Sequence, residues 1–225
     1  DTITKFTVSY KKDEDTLWYF TRSEGYRPGG WNRNAGVTPK CRGYDASDPN
    51  YCGGAPGDGT YRADIPLAYK SDNVYNTELG LKTLLMDGAM RLNATFYRID
   101  WEGIQVSQFD PVHVNFITFV ENAADAEIEG LEADVLWYPS DTLTVAAAMS
   151  YNDTEIVKDV AKTIPIVDIG NALPLAPKRQ WNVRVRKDLA MNDSYFQVAF
   201  KSSSKTYNSF EAAKVKDQPS YEIVD

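Results

Sequence analysis

Histidine occurs once in these 225 residues. Any catalytic triad or histidine-based metal site would therefore have to be built around His113. Its neighbours Asp110-Pro111-Val112 supply no serine nucleophile at a recognisable motif, so His113 reads as a loop histidine and the chain as not an enzyme. Cysteine is almost as scarce. Cys41 and Cys52 are the only two, in a stretch rich in Gly and Pro with no histidine nearby. That pair reads as a loop-stapling disulfide in an oxidising compartment rather than a metal site. An excess of positive charge is lacking too. Lys and Arg total 24 against 32 Asp and Glu, a net charge of −8, which argues against a nucleic-acid partner, since phosphate must be neutralised by basic patches. No apolar run approaches the ~20 residues of a transmembrane helix. A membrane β-barrel stays open, because its alternating faces keep mean hydropathy unremarkable, here −0.44. No signal peptide is visible. The chain enters a strand pattern almost at once (residues 2–10), as though cut from something longer.

Alternation is what the sequence has instead. Apolar and polar residues alternate with period two over residues 3–10, 17–24, 73–85, 89–101, 126–138, 143–151, 180–189 and 195–203, and residues 221–225 read as a strand stopped midway. Short turns are expected near Asp13, at Met86-Asp87-Gly88, at Pro139-Ser140-Asp141-Thr142 and near Asn192. Between them fall long connections, at about 25–70, 103–120, 152–178 and 204–220. The second of these is β-prone and could hold a hairpin within 105–119. Strict sorting of short turns to one end and long loops to the other is the habit of an outer-membrane barrel. Strands of about 9–13 residues match the ~9–11 needed to cross a bilayer when tilted. An ordinary one-sided sheet with a solvated face is the competing account of the alternation.

The faces differ chemically. One carries Phe, Leu, Val, Ala and Trp; the other carries Glu78, Lys82, Arg91, Glu132, Asp134, Arg184 and Arg186, which are expected to face the lumen. The carboxylate pairs Glu127/Glu129 and Glu132/Asp134 are expected on that lumen face as well, paired with Lys and Arg of adjacent strands. The first long loop holds Asp45, Asp48, Asn50, Asp58 and Asp64 among glycines. It reads as a solvated acidic loop, with calcium as the alternative.

Everything is organised around residues 23–32, Ser-Glu-Gly-Tyr-Arg-Pro-Gly-Gly-Trp-Asn, where three glycines and a proline force the chain out of the sheet. With the aromatic strand before it, this stretch resembles the barrel motif of TonB-dependent outer-membrane receptors. Glu78-Leu79-Gly80-Leu81-Lys82 resembles that family's E-x-G-x-K strand, and Ile128-Glu129-Gly130-Leu131-Glu132 its x-x-G-x-E strand, in the same order. The resemblance covers nearly the whole chain. It implies an all-β fold: an antiparallel up-and-down transmembrane β-barrel, with residues 1–225 supplying about eight strands from the C-terminal side of a larger barrel of ~22 strands. A complete eight-stranded barrel is the alternative. The implied plug domain has no counterpart in these residues.

The implied function is active import across the outer membrane of a Gram-negative bacterium. Extracellular loops would capture a scarce nutrient (ferric siderophore, haem, cobalamin or oligosaccharide), and a TonB-type protein would supply the energy. The expected partners are outer-membrane lipid, the plug and that coupling protein, with no cofactor. The candidate ligand contacts are Tyr26, Arg27, Trp31, Asn32, Tyr44, Tyr51 and Tyr61, because aromatic faces beside Arg and Asn suit sugars, siderophores or flat polar ligands. The same residues could instead pack the loop or sit in an interfacial girdle. A passive porin and a soluble glycan-binding β-domain are the rival functions.

Overall fold

The computed structural model describes residues 2–32, 67–110, 117–160, 168–190, 194–210 and 216–225. Cys41, Cys52, Tyr44, Tyr51, Tyr61, the acidic loop residues and His113 lie outside them. Strand β1 (Lys5–Lys11) pairs with β2 (Thr16–Arg27), which pairs with β5 (Asp72–Leu85). The sheet continues through β6 (Met90–Asp110), β7 (Ile117–Ser140), β8 (Leu143–Asp159), β9 (Arg179–Asp188), β10 (Tyr195–Ser203) and β13 (Tyr221–Val224). These nine strands form one antiparallel sheet in the order β1-β2-β5-β6-β7-β8-β9-β10-β13. Two ribbons stand outside it: β3 (Gly30–Trp31) with β4 (Ala68–Tyr69), and β11 (Thr206–Tyr207) with β12 (Asp217–Gln218).

The short turns fall at one end of this sheet and the long connections at the other, as the alternation predicts. In the β5–β6 turn, Met86, Asp87 and Gly88 all take positive φ. The partial strand at the end of the sequence pairs with β10 as the ninth strand.

The strands overrun their expected ends at the loop side. β2 continues to Arg27 and β8 to Asp159. Most of the loop expected at 103–120 is strand, because β6 and β7 stay paired out to Asp110 and Ile117. A bulge hides this in the sequence. The register shifts between Trp101 and Ile104, and Gly103 takes φ 65° at that point. The extra residue breaks the period-two pattern while the ladder itself resumes.

Register assigns every strand residue to a face, since directly paired residues point the same way. Phe6, Trp18, Leu79, Phe96, Leu131, Met149, Trp181, Val185 and Phe196 share one face, and all are substantially exposed. Trp181 stacks on Phe200 there, with ring centroids 4.6 Å apart. Such an exposed apolar belt is what lipid solvates. It has a sharp upper edge. One step toward the long loops from Leu79, Phe96, Leu131 and Tyr151, the same face carries Thr77, Arg98, Glu129 and Asp153. Arg98 ties Glu127 (2.8 Å), Glu129 (2.9 Å) and Asp100 (3.3 Å) together just above that edge.

This corrects one expectation. Glu127 and Glu129 do pair with an arginine of the neighbouring strand, but on the outer face. Their odd parity matches that of Leu131, and only their height above the apolar belt makes them tolerable there. Among the described residues, buried apolar side chains are few: Phe119, and a cluster at the loop end formed by Ile104, Ala123, Ala124, Ala126, Ile156 and Leu173.

Candidate functional site

The loop end of the polar face is organised by one carboxylate. Asp72 opens β5 and is buried, at 1% exposure. Its oxygens accept from the Arg27 backbone N–H (3.1 Å), Arg27 Nε (2.8 Å) and Nη2, Trp101 Nε1 (3.1 Å) and the Gln105 N–H (3.4 Å). Arg27 also sits over the Trp101 ring, 5.4 Å from its centroid. Asp72 lies well above the apolar belt, outside the bilayer. Burial pushes its carboxyl up, but donation from Arg27 and Trp101 and the guanidinium charge outweigh burial and hold it below the usual aspartate range.

Two amide side chains extend this hub. Gln105 Nε2 donates to the carbonyls of Pro28 and Lys70 (both 3.1 Å). Asn122 accepts from the Lys70 N–H (2.8 Å) and donates to the Gly103 carbonyl (2.6 Å). Gln105 of β6, just past the bulge, and Asn122 of β7 thus clamp the turn after Arg27 and the residues leading into β5. Asn32 completes the clamp. It is buried, donates to the Val120 carbonyl (2.7 Å) and accepts from the Val120 N–H (2.8 Å), while its own N–H reaches the Leu67 carbonyl (2.9 Å). Gly29 and Gly30 are required in this turn, because a Cβ on either would overlap Tyr69.

Beside the hub a cavity of about 680 Å³ opens on the polar face. Its wall comes from Ile99 and Trp101 of β6, Ile104 beyond the bulge, and Ile128 of β7. Its roof is the segment before β9, which turns in over the sheet. There the Leu173 N–H donates to Thr154 Oγ1 (3.0 Å), the Ile156 N–H to the Asn171 carbonyl (2.8 Å), and the Leu175 N–H to the Tyr207 carbonyl (2.7 Å). Leu173 is thereby buried, whereas Leu175 is 64% exposed at φ 59°.

The sequence-predicted site residues are distributed unevenly over this geometry. Arg27 lines the cavity. Asn32 spends its side chain on the Val120 backbone. Tyr26 sits on the outer face, opposite Asn73, above the apolar belt. Trp31, on the β3–β4 ribbon, is 72% exposed. Asp72, Trp101, Gln105, Leu173, Leu175 and Phe210 escaped sequence reasoning. Gly103, at the junction of a strand pattern and a β-prone stretch, is the one sequence feature that could have signalled the bulge bringing Trp101 and Ile104 to one side.

Glu78, Lys82, Arg91, Glu132, Asp134, Arg184 and Arg186 share the polar face by register. Asn93 donates to both Asp134 oxygens (3.2 and 2.9 Å), Glu78 accepts from Asn76 (2.6 Å), and Arg186 pairs with Asp188 (2.8 Å). Among the described residues, Lys82, Arg91, Glu132 and Arg184 have no ion-pair partner, in contrast to Arg98 on the outer face.

Comparison with known proteins fits this geometry. The chain superposes on the ferric yersiniabactin uptake receptor FyuA from Yersinia pestis with a TM-score of 0.66 at 17% identity, over 98% of this chain and 28% of that one. For the siderophore receptor PiuA from Acinetobacter baumannii the values are 0.65, 18%, 98% and 28%. For the FrpB iron transporter from Neisseria meningitidis they are 0.63, 15%, 99% and 31%. At such identities these likenesses establish the fold, and the chain spans less than a third of each structure's length. The family itself rests on the sequence: the model described as TonB dependent receptor-like, beta-barrel matches residues 2–225. The chain belongs to the TonB-dependent receptor β-barrel family, whose members sit in the outer membrane of Gram-negative bacteria.

Proposed function

We propose that this chain is part of the wall of an active importer that captures a scarce nutrient at the cell surface and does no covalent chemistry. In this reading the apolar face meets lipid, and Glu78, Lys82, Arg91, Glu132, Asp134, Arg184 and Arg186 line the lumen. The cavity beside Asp72 is part of the outer vestibule in which the ligand first rests. The nutrient class carried over from the relatives' names is a chelated metal, foremost iron.

The observation that carries the reading is the contrast between the two charged surfaces. On the outer face Arg98 is tied to three carboxylates, whereas Lys82, Arg91, Glu132 and Arg184 of the polar face find no ion-pair partner among the described residues. Long charged side chains crowded on a lumen wall are costly to leave unpaired where water is sparse. A plug filling the lumen supplies the opposite charges, and a TonB-type protein pulling on that plug opens the path. A water-filled porin has no need of such a partner.

The test is uptake by whole cells. Deleting the gene should abolish energy-dependent accumulation of a radiolabelled iron chelate, and complementation should restore it. Accumulation of small solutes that survives dissipation of the proton-motive force, and falls only with the gene, would point to a passive pore instead.

A further inference from the structure

The vestibule cavity combines an apolar wall with very little free positive charge. Three charged side chains line it: Arg27, Glu78 and Glu132. The guanidinium of Arg27 is already committed to the buried Asp72 through Nε and Nη2 and to the Trp101 face. The other two are carboxylates. The rest of the lining is largely apolar, with Trp101, Leu175 and Phe210 among its accessible apolar members over the buried Ile104 and Leu173, and Asn76, Asn152 and Thr154 as uncharged polar groups. A volume of about 680 Å³ suits a ligand of several hundred daltons.

Leu175 is the feature that calls for an explanation beyond packing. It holds a left-handed backbone, φ 59°, where Gly or Asn would sit with less strain. Its side chain is mostly exposed, at 64%, so it gains little from the core in return. Its backbone is pinned in place by the N–H bond to Tyr207 and by the buried Leu173 two residues before it. Strain held by surrounding structure at the lip of a cavity is a mark of ligand contact.

We infer that this vestibule selects a ligand with an apolar face and no net negative charge, and that Leu175 is a specificity-determining contact. The inference rests on the importer reading and narrows it to a substrate class. A polyanionic chelate would meet two carboxylates and one cation whose charge is already spent, and like-charge contacts of that kind discriminate strongly. A neutral chelate with exposed hydrocarbon would cover Trp101, Leu175 and Phe210 at no electrostatic cost.

The test uses the receptor expressed from its own gene and purified in detergent, titrated by tryptophan fluorescence with two iron(III) complexes. One is a tris-hydroxamate of zero net charge; the other is a tris-catecholate carrying three negative charges. The neutral complex should bind at least tenfold more tightly. Leu175→Asn should weaken its binding about tenfold while leaving the unfolding temperature equal or raised, since Asn accepts the left-handed backbone. Leu175→Met should retain binding.

Equal or tighter binding of the tris-catecholate would overturn the inference while leaving the importer reading intact. Unchanged affinity in Leu175→Asn would overturn the role of that residue. Binding of neither complex would overturn the inference as well, and the cell-uptake assay then decides the importer reading separately.

Discussion

Tyr97 lies over Gly130 of the next strand, and its hydroxyl reaches Asn152 one strand further on. A Cβ on Gly130 would overlap the tyrosine ring. The same crossing occurs two strands earlier in the sheet, where Tyr19 lies over Gly80 and meets Thr95 Oγ1 at 2.8 Å. Each ring spans three strands on the polar face and shields a glycine that has no side chain of its own to pack. This is the physical content of the two glycine motifs: glycine is needed because an aromatic from the neighbouring strand occupies the space.

Gly80→Ala and Gly130→Ala should therefore destabilise the barrel by about 1–3 kcal/mol each, as overpacking does. The check is the temperature at which the folded, fast-migrating band disappears on a denaturing gel. Gly25→Ala is the control, because a Cβ there meets nothing within 4 Å, and it should leave that temperature unchanged.

The edge of the apolar belt between Leu131 and Glu129 predicts opposite outcomes for one substitution made two residues apart. Leu131→Arg places a charge against hydrocarbon and should cost about 2–4 kcal/mol near the bilayer midplane, less toward the interface. Glu129→Arg removes one of the carboxylates around Arg98 in the wet zone, where an exposed pair contributes about 0–1 kcal/mol. Insertion into outer membranes should fall for the first variant and persist for the second, as read by the amount of heat-modifiable protein.

Asp72 predicts a pH dependence of definite sign. Its folded pKa is lowered by the donors around it. The stability it contributes is thus fully present above the ordinary aspartate value of about 3.9 and is lost as pH falls below that through the lowered value. Trp101 emission, taken as the difference between the wild type and Trp101→Phe, should hold steady from pH 7 to about 4 and change below. Asp72→Asn should mimic the acid state at neutral pH. The amide protons of Arg27 and Gln105 should then exchange roughly 10–100-fold faster, the equivalent of ~1.5–3 kcal/mol for hydrogen bonds to a charged group.

Much of this fold is legible in the sequence because a membrane wall obeys a strict rule, apolar out and polar in, at every second residue. Phe96 against Thr95 and Leu131 against Glu132 could be sorted on that rule alone. It fails where the membrane ends. Beyond Leu131 the outer face turns polar, so Glu127 and Glu129 look like lumen residues although their parity is unchanged. At Gly103 the extra residue of the bulge breaks the period, and a paired strand reads as a loop. Asp72 and Leu175 were invisible for a different reason. The importance of each lies in contacts made across the sheet or in a backbone angle, and neither leaves a local pattern.

The central claim is that one face of this sheet meets lipid up to a fixed height and the other never does. Nitroxide labels placed singly along β6, from Met90 to Asp100, would test it in the receptor reconstituted in bilayers with Cys41 and Cys52 replaced by serine. Accessibility to oxygen should peak at Leu92, Ala94 and Phe96 and fall at Asn93, Thr95 and Tyr97. At Arg98 and Asp100 the outer face should switch to a water-soluble relaxer. A profile without period two, or oxygen maxima that continue through Asp100, would contradict the account.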